Sequence, residues 1–204
     1  MKSTDHWYNV YSEKDSQNVS WFEPNAARSL AMIDALNLSP ESAVVDMGGG
    51  ASRLIDGLLD RGFHQPTVVD LAQTGLDQSK ARLGTRHTLV DWICADARHW
   101  RPSRGYQLWH DRAAFHFMTT AEDQDNYISC LKNALGEGGY AIIASFALDG
   151  PEKCSGLPVC RYDPKTLTAT LGAQFKLLDH QFEQHRTPWD AVQSFQYSLF
   201  KYGA

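Results

Sequence analysis

Three consecutive glycines, Gly48 to Gly50, follow a short apolar run and most limit how this chain can fold. The run before them, AVVDM (43–47), is typical of a buried strand, and apolar residues at helical spacing follow them. Glycines between a strand and a helix allow positive φ angles and a close approach of the backbone to a ligand. The segment VVDMGGGASRL (44–54) therefore predicts a strand, a ligand-binding turn and a helix that begins near Ala51 or Ser52.

Apolar runs and helical periods alternate through the middle of the chain. Runs that predict further strands lie at 67–71, 88–94, 106–111 and 140–146. Helical periods predict helices at about 25–36, from Ala51 or Ser52 to about 62, up to about 83 and around 127–135. Continuous apolar strands that alternate with helices favour a parallel sheet covered on both faces.

The C-terminal region differs, because two strand-like segments, 175–185 and 191–202, are separated by only five residues. Parallel neighbours need a long crossover, so the last strand should run antiparallel. The predicted fold class is α/β: a Rossmann-like, doubly wound sheet of seven strands, mostly parallel, with an antiparallel C-terminal hairpin strand and helices on both faces. We expect a single domain over 1–204, with an aromatic N-terminal cap over 1–24 and a substrate-side loop over 147–162.

Charge and apolar stretches limit the partners and the compartment. The formal net charge is −5 and no long basic run appears, so we expect a small-molecule substrate and neither nucleic acid nor a membrane. The N-terminal residues lack the apolar core of a secretory signal, and the longest apolar stretch, 140–148, is too short to span a bilayer. These features predict a cytoplasmic protein whose four cysteines are reduced thiols.

The glycine turn suits two classes of nucleotide-like ligand. Dinucleotide binding prefers G-x-G-x-x-G, but here Gly48 and Gly50 are followed by Arg53 at the third glycine position. Asp46, two residues before the first glycine, suits a ligand with a cationic amino group, which nicotinamide dinucleotides lack there. An NAD-dependent oxidoreductase is therefore the less favoured of the two.

Two further carboxylates follow the next strands. Asp70 ends the second predicted strand and suits the hydroxyls of a ribose, and Asp96 follows the third strand and suits an adenine amino group. In an open α/β sheet, the carboxyl ends of neighbouring strands face one crevice. Each feature also has a structural alternative, since a glycine run can be a tight loop and an aspartate can be a helix N-cap.

These motifs resemble those of the class I S-adenosylmethionine-dependent methyltransferases over roughly residues 25–150. VVDMGGGAS is similar to the first motif of that family, VVDLA to the second, ADA to the third, and YQLWHDRAAFHF to the fourth-strand segment. The resemblance implies methyl transfer with S-adenosyl-L-methionine as cofactor. The cofactor-binding residues that it implies are Trp21, Asp46, Gly48, Gly49, Gly50, Ser52, Asp70, Leu71, Asp96, Ala97 and His110.

The N-terminal segment adds a second resemblance. HWYNVY and the later SWF look like the start of a subgroup of small bacterial and eukaryotic methyltransferases with an HWxxxY cap, some of which methylate protein lysines. Trp7, Tyr11 and Trp21 match the aromatic positions of that subgroup. The resemblance implies that the cap folds over the cofactor, with Trp7 and Tyr11 near the substrate.

Candidate catalytic residues follow the fourth predicted strand: His110, Asp111, Arg112 and His116. Asp111 is suited to orient a donor or accept a proton, Arg112 to hold an anionic group, and His116 to act as a base. The structural alternatives are an Asp111–Arg112 ion pair and a hydrogen-bonded His116 packed between phenylalanines.

Cys154 and Cys160 lie in the loop after the fifth strand, and their spacing matches no usual zinc signature, so no metal site is expected. They are either two reduced loop cysteines or contacts for a soft substrate such as a thiol, a selenol or a trivalent metalloid. The leading hypothesis is methyl transfer to a small-molecule nucleophile, such as a thiol. The alternatives are a protein (lysine) methyltransferase and a cofactor-binding module without catalysis.

Overall fold

The computed structural model describes residues 2–13 and 16–203. Met1, Lys14, Asp15 and Ala204, which belong to the predicted cap and domain ends, lie outside the described residues. Within the described ranges, every helix is too short or too polar to cross a membrane.

Seven strands form one sheet, and the predicted fold class is confirmed. The strands are β1 (Val44–Met47), β2 (Thr67–Asp70), β3 (Asp91–Cys94), β4 (Tyr106–Arg112), β5 (Leu135–Phe146), β8 (Phe175–Arg186) and β9 (Val192–Tyr202). A separate small hairpin consists of β6 (Lys153–Cys154) and β7 (Leu157–Pro158). The order in the large sheet is β3-β2-β1-β4-β5-β9-β8. Strands β1 to β5 are parallel to one another, and β9 pairs antiparallel with both β5 and β8.

Helices cover both faces of this sheet. They are α1 (Lys2–Glu13), α2 (Ala27–Ala35), α3 (Leu54–Asp60), α4 (Gln73–Leu83), α5 (Ala121–Ala134) and α6 (Pro164–Leu171). On one face, apolar residues of α5 and α6 pack around Trp109. On the other face, α2 and α3 pack near Phe146 and Phe195, and α4 packs over Val68. Because successive residues of a strand point to opposite faces, the apolar runs contribute to both cores.

Several element boundaries differ from the sequence-based prediction, among them the start of β5, at Leu135 rather than 140. The third strand begins at Asp91 rather than 88, because Gly84–Leu89 forms a 3₁₀ helix. The Trp92 indole donates to the His87 carbonyl at 2.9 Å and holds that turn. Helix α3 begins at Leu54 rather than at Ala51 or Ser52, since the Ser52 hydroxyl accepts from the Leu54 N–H.

Candidate functional site

The carboxyl ends of β1, β2, β3 and β4 meet at one edge of the sheet, where a cavity of about 290 Å³ opens. Residues after these strands line it, as do α1, the segment around Trp21 and the β6–β7 hairpin. A smaller cavity of about 40 Å³ lies beside it, along the glycine turn. The two cavities share the side chains of Tyr11, Trp21 and Arg112.

The glycine turn is closed to side chains at all three positions. Gly48 has a φ of +73°, and a Cβ there would lie 2.6 Å from the Ala114 Cβ. A Cβ on Gly49 would lie 2.5 Å from an Asp46 carboxylate oxygen, and one on Gly50 would lie 2.5 Å from the Tyr11 hydroxyl. The turn therefore brings bare backbone to both cavities, as expected for close approach to a ligand.

Asp46 lies at the end of β1, almost fully buried, and its two carboxylate oxygens differ. Oδ1 lies 2.7 Å from His110 Nδ1. Oδ2 has no hydrogen-bond partner among the described residues. The smaller cavity, lined by Asp46, also contains the guanidinium-bearing side chains of Arg53 and Arg112. An unpaired carboxylate oxygen and two cations that line one cavity fit the ammonium and carboxylate of an amino acid.

Asp70 ends β2 and lines the larger cavity. Its Oδ1 accepts from the Ala72 N–H at 2.7 Å. Burial, reinforced by the negative charge of Asp46, raises the pKa of Asp70 to about 7. Hydroxyl donors from a ligand would favour its ionised form, so the position fits the diol of a ribose.

Asp96, after β3, also lines the larger cavity, and Arg98 holds it. The Arg98 guanidinium donates to both Asp96 oxygens, at 2.5 Å for the shorter bond, and donates to Asp123 at 2.6 Å. Burial acts to raise the pKa of Asp96, but the Arg98 hydrogen bonds outweigh it and keep that pKa below its usual value. Leu71 and Ala97 line the same part of the cavity, which suits an adenine ring.

An aromatic wall of Trp7, Tyr11, Trp21 and Phe117 closes the cavity opposite the strands. The Trp7 ring lies 5.1 Å from that of Phe117 and 5.7 Å from that of Trp21, centroid to centroid, and both pairs are edge-on. Tyr11 fits between two glycines: a Cβ on Gly50 would lie 2.5 Å from its hydroxyl, and a Cβ on Gly75 would lie 3.0 Å from its ring. The predicted aromatic positions of the cap thus line the cavity together.

Asp111 was predicted to be catalytic, but it lines neither of these two cavities. It is fully buried, and its carboxylate accepts from the Ala114 and Phe115 N–H groups, at 2.8 and 2.9 Å, and from the Tyr127 hydroxyl. These bonds hold the turn in which Ala113 adopts a φ of +71°. Asp111 therefore shapes the loop that lies against Gly48. Burial raises its pKa to about 6.

Arg112 lines both cavities, but the alternative Asp111–Arg112 ion pair does not form. Its Nη2 lies 3.2 Å from Glu23, its Nε donates to the Tyr197 hydroxyl at 2.8 Å, and its Nη1 donates to the Trp21 carbonyl at 3.0 Å. The guanidinium carbon lies 4.6 Å from the centroid of the Phe195 ring. Four contacts from distant parts of the chain fix this cation.

The predicted base His116 is fully buried and lines neither of these two cavities. Its ring packs 4.4 Å from Phe117 and 5.0 Å from Phe146, and neither ring nitrogen has a hydrogen-bond partner among the described residues. The packing against phenylalanines agrees with the structural alternative, but the hydrogen bond expected there is absent among the described residues. Burial lowers the pKa of His116 to about 3, which keeps the ring neutral.

The two cysteines of the predicted substrate-side loop differ in whether they line the larger cavity. Cys154, in β6, lines the larger cavity, and burial raises the pKa of its thiol to about 11. Cys160 does not line that cavity, and its sulfur lies 3.6 Å from the Met118 carbonyl. All four cysteines are free. Across the described residues, no three potential metal ligands come together.

Sequence reasoning missed several residues of the site. The Ser29 hydroxyl lies 2.8 Å from His110 Nε2, and Arg98 holds Asp96. Phe117, Met118, Leu157 and Pro158 line the larger cavity. Arg98 follows directly after the ADA motif, so its position was a usable signal. Ser29 offered none, because its contact is with a residue distant in sequence, and the β6–β7 hairpin was expected only as part of the substrate-side loop over 147–162.

The fold and site define a class of protein. It is an α/β enzyme whose glycine turn and strand-end carboxylates together fit a nucleoside joined to an amino acid. The family described as "Methyltransferase domain" matches residues 44–139. With this domain, the chain is an S-adenosylmethionine-dependent methyltransferase whose cofactor is S-adenosyl-L-methionine. No curated protein matches the chain.

Solved structures share the fold at low identity. One, described for the conversion of a disulfide bond into a thioacetal group during echinomycin biosynthesis, is 17% identical with a TM-score of 0.76, over 98% of this chain and 92% of that one. N-methyltransferase NodS from Bradyrhizobium japonicum, in complex with S-adenosylhomocysteine, is 13% identical with a TM-score of 0.72, over 98% and 100%. The 1,6-didemethyltoxoflavin-N1-methyltransferase from Burkholderia thailandensis is 18% identical with a TM-score of 0.69, over 100% and 85%.

Proposed function

We propose that this methyltransferase acts on a small molecule with a soft nucleophile, above all a thiol, bound in the larger cavity. The observation that carries the proposal is the chemistry of the cavity wall away from Asp70 and Asp96. Among the described residues there, the ionisable side chains are Tyr11, Arg98, Arg112 and Cys154, with no carboxylate and no imidazole. The residues predicted as acid or base lie elsewhere.

A wall without a general base selects among acceptors. An alcohol must lose its proton before or during transfer, whereas a thiol ionises near neutral pH and its thiolate is strongly nucleophilic. Cys154 and Tyr11 are unsuited as bases for a soft acceptor, because burial raises the pKa of the Cys154 thiol to about 11 and raises the pKa of the Tyr11 phenol well above its usual value. A thiol acceptor therefore requires only what this cavity offers, which is enclosure and orientation.

The cofactor supplies an electrophilic methyl group on a sulfonium, and the protein has to bind and align. In this proposal, Asp46, the glycine turn and the smaller cavity hold the amino acid part, Asp70 the ribose, and Leu71, Asp96 and Ala97 the adenine. The aromatic wall and the substrate-side loop, through Cys154, Leu157 and Pro158, enclose the acceptor and exclude water. Alignment of this kind can contribute about 7–11 kcal/mol in favourable cases.

Two features support a small acceptor. The larger cavity has a volume of about 290 Å³, which is near the lower end of the usual range for ligand pockets. One similar structure belongs to a protein described for chemistry at a disulfide, and another to an enzyme that methylates a nitrogen of a small heterocycle. The proposal includes the cytoplasmic location predicted from the sequence, where thiols stay reduced.

Acceptors that differ only in the accepting atom provide the test. The protein is incubated with methyl-labelled cofactor and thiophenol, phenol or aniline, and the products are separated. We expect label in thiophenol at least tenfold faster than in phenol or aniline. Faster labelling of phenol or aniline would overturn the choice of sulfur. In a second experiment with a cell lysate, label in the protein fraction instead of the small-molecule fraction would favour a protein methyltransferase.

A further inference from the structure

Three polar side chains form a buried chain behind the glycine turn. Asp46 Oδ1 lies 2.7 Å from His110 Nδ1, and His110 Nε2 lies 2.8 Å from the Ser29 hydroxyl. The exposed fractions are 3% for Asp46, 2% for His110 and 1% for Ser29. Ser29 lies in α2, His110 in β4 and Asp46 in β1, so the chain joins three elements.

The order acid–histidine–serine resembles that of a hydrolase, but the surroundings do not fit that chemistry. Ser29 lines neither of the two cavities, so no substrate there reaches its hydroxyl. Asp46, in contrast to Ser29, does line a cavity: it lies in the wall of the smaller one with Gly48 and Gly49. Of these three hydrogen-bonded side chains, the one that can contact a ligand is therefore Asp46, through its carboxylate.

One tautomer satisfies every group in the chain. With its proton on Nδ1, His110 donates to Asp46 Oδ1, and its Nε2 accepts from the Ser29 hydroxyl. This arrangement uses Oδ1 fully and leaves Oδ2, which has no partner among the described residues, as the remaining acceptor. A Cβ on Gly49 would lie 2.5 Å from Oδ2, so only a glycine at that position lets this oxygen lie against the turn.

We propose that Ser29 and His110 are positioning residues that fix the Asp46 carboxylate so that Oδ2 receives the ammonium group of the cofactor. Without the Ser29 hydroxyl, His110 loses the partner that fixes its tautomer and its ring orientation. Asp46 then loses the donor that fixes its own rotamer. The amino group is therefore bound less well, while the adenosine part, held by Asp70 and Asp96, is bound as before.

Calorimetry with three ligands separates positioning from general stability. S-adenosylhomocysteine carries the ammonium and the carboxylate, its decarboxylated form carries the ammonium alone, and 5′-methylthioadenosine carries neither. For Ser29→Ala we expect about five- to tenfold weaker binding of the first two, the size of one lost hydrogen bond. Binding of 5′-methylthioadenosine should change less than about twofold. Ser29→Thr, which keeps the hydroxyl, should restore much of the loss.

Two controls make the result specific. Ser198→Ala removes an equally buried serine hydroxyl, which donates to Gln196 at 2.6 Å and lines neither cavity, and should change the binding of none of the three ligands. In an Asp46→Asn background, Ser29→Ala should have little further effect on S-adenosylhomocysteine binding, because the two residues act through one contact. The inference is wrong if Ser29→Ala weakens all three ligands equally, weakens none, or adds its full effect to that of Asp46→Asn.

Discussion

Asp70 illustrates how a single residue can serve ligand binding at a cost to stability. Its side chain is buried beside the glycine turn, with the charge of Asp46 nearby. Both effects raise its pKa, to about 7, whereas an aspartate in an unfolded chain titrates near about 4. Its contribution to stability is therefore complete below about pH 4 and is lost as the pH rises through about 7.

Asp70→Asn should stabilise the ligand-free protein at pH 8 and abolish its response to ligand. The amide keeps an acceptor for the Ala72 N–H and carries no charge to bury. A raised pKa is equivalent to about 1.4 kcal/mol per unit, so the gain at pH 8 is at most roughly 4 kcal/mol. Thermal denaturation at pH 5 and pH 8, with and without S-adenosylhomocysteine, measures both effects.

The gain should be small at pH 5, where Asp70 is protonated in the folded protein. The ligand should raise the melting temperature of the parent protein by mass action and leave that of the variant nearly unchanged. A variant that is less stable than the parent at pH 8, or that keeps the full ligand shift, would contradict the role given to this carboxylate.

At the level of elements, the strands were predictable from local patterns and the cap was not. Four of the six predicted strand starts that follow β1 lie within one residue of the structure, since apolar runs and turn residues mark them locally. The exceptions are β3, where the 3₁₀ helix Gly84–Leu89 replaces the start of the run, and β5, which begins at Leu135 rather than 140. Where α1 docks depends on contacts with α4 and the glycine turn, which no local pattern encodes.

The fit of α1 against α4 depends on Gly75. A Cβ there would lie 3.0 Å from the Tyr11 ring and 3.2 Å from the Gly50 Cα. The Gln78 side chain donates to the Tyr11 carbonyl at 2.7 Å and fixes the same contact from the next turn of α4. Gly75 therefore joins the cap to the cofactor turn, although glycine is a poor residue within a helix.

Gly75→Ala should weaken cofactor binding even though alanine favours the helix by about 1 kcal/mol. The new methyl group displaces the Tyr11 ring, and α1 with it, from the glycine turn. We expect several-fold weaker binding of S-adenosylhomocysteine by calorimetry. Gly105→Ala is the control, because a Cβ there meets nothing within 4 Å. Unchanged binding in Gly75→Ala would show that α1 adapts without loss.

For the whole molecule, the cofactor side of the site was more accessible to sequence reasoning than the acceptor side. Asp46, Asp70 and Asp96 each follow a strand at a fixed place in the chain order, so the parallel topology alone brings them to one edge. The acceptor side combines Trp7, Phe117 and the β6–β7 hairpin, which are far apart in sequence. Their meeting depends on how the two ends of the chain pack onto the central strands.

Arg112 connects those ends. From β4 it contacts Glu23 and the Trp21 carbonyl in the N-terminal segment, and Tyr197 and Phe195 in β9. Burial raises the pKa of Glu23, and the charge of Arg112 opposes that rise. Such a buried pair contributes little net stability against apolar replacements, but removal of one partner leaves the other charge buried and uncompensated.

Arg112→Met should therefore destabilise the protein strongly, by about 3–5 kcal/mol, and Glu23→Gln in the same chain should recover part of that loss. Glu23→Gln alone leaves the Arg112 charge with less compensation and should also destabilise. Urea denaturation of the four proteins at one pH measures the coupling between the two sites. Because Arg112 joins both ends of the chain to the central strand, the loss should appear in the single unfolding transition of the whole domain. Additive effects of the two substitutions, or a separate early transition confined to the N-terminal segment, would show that the ends fold independently of this cation.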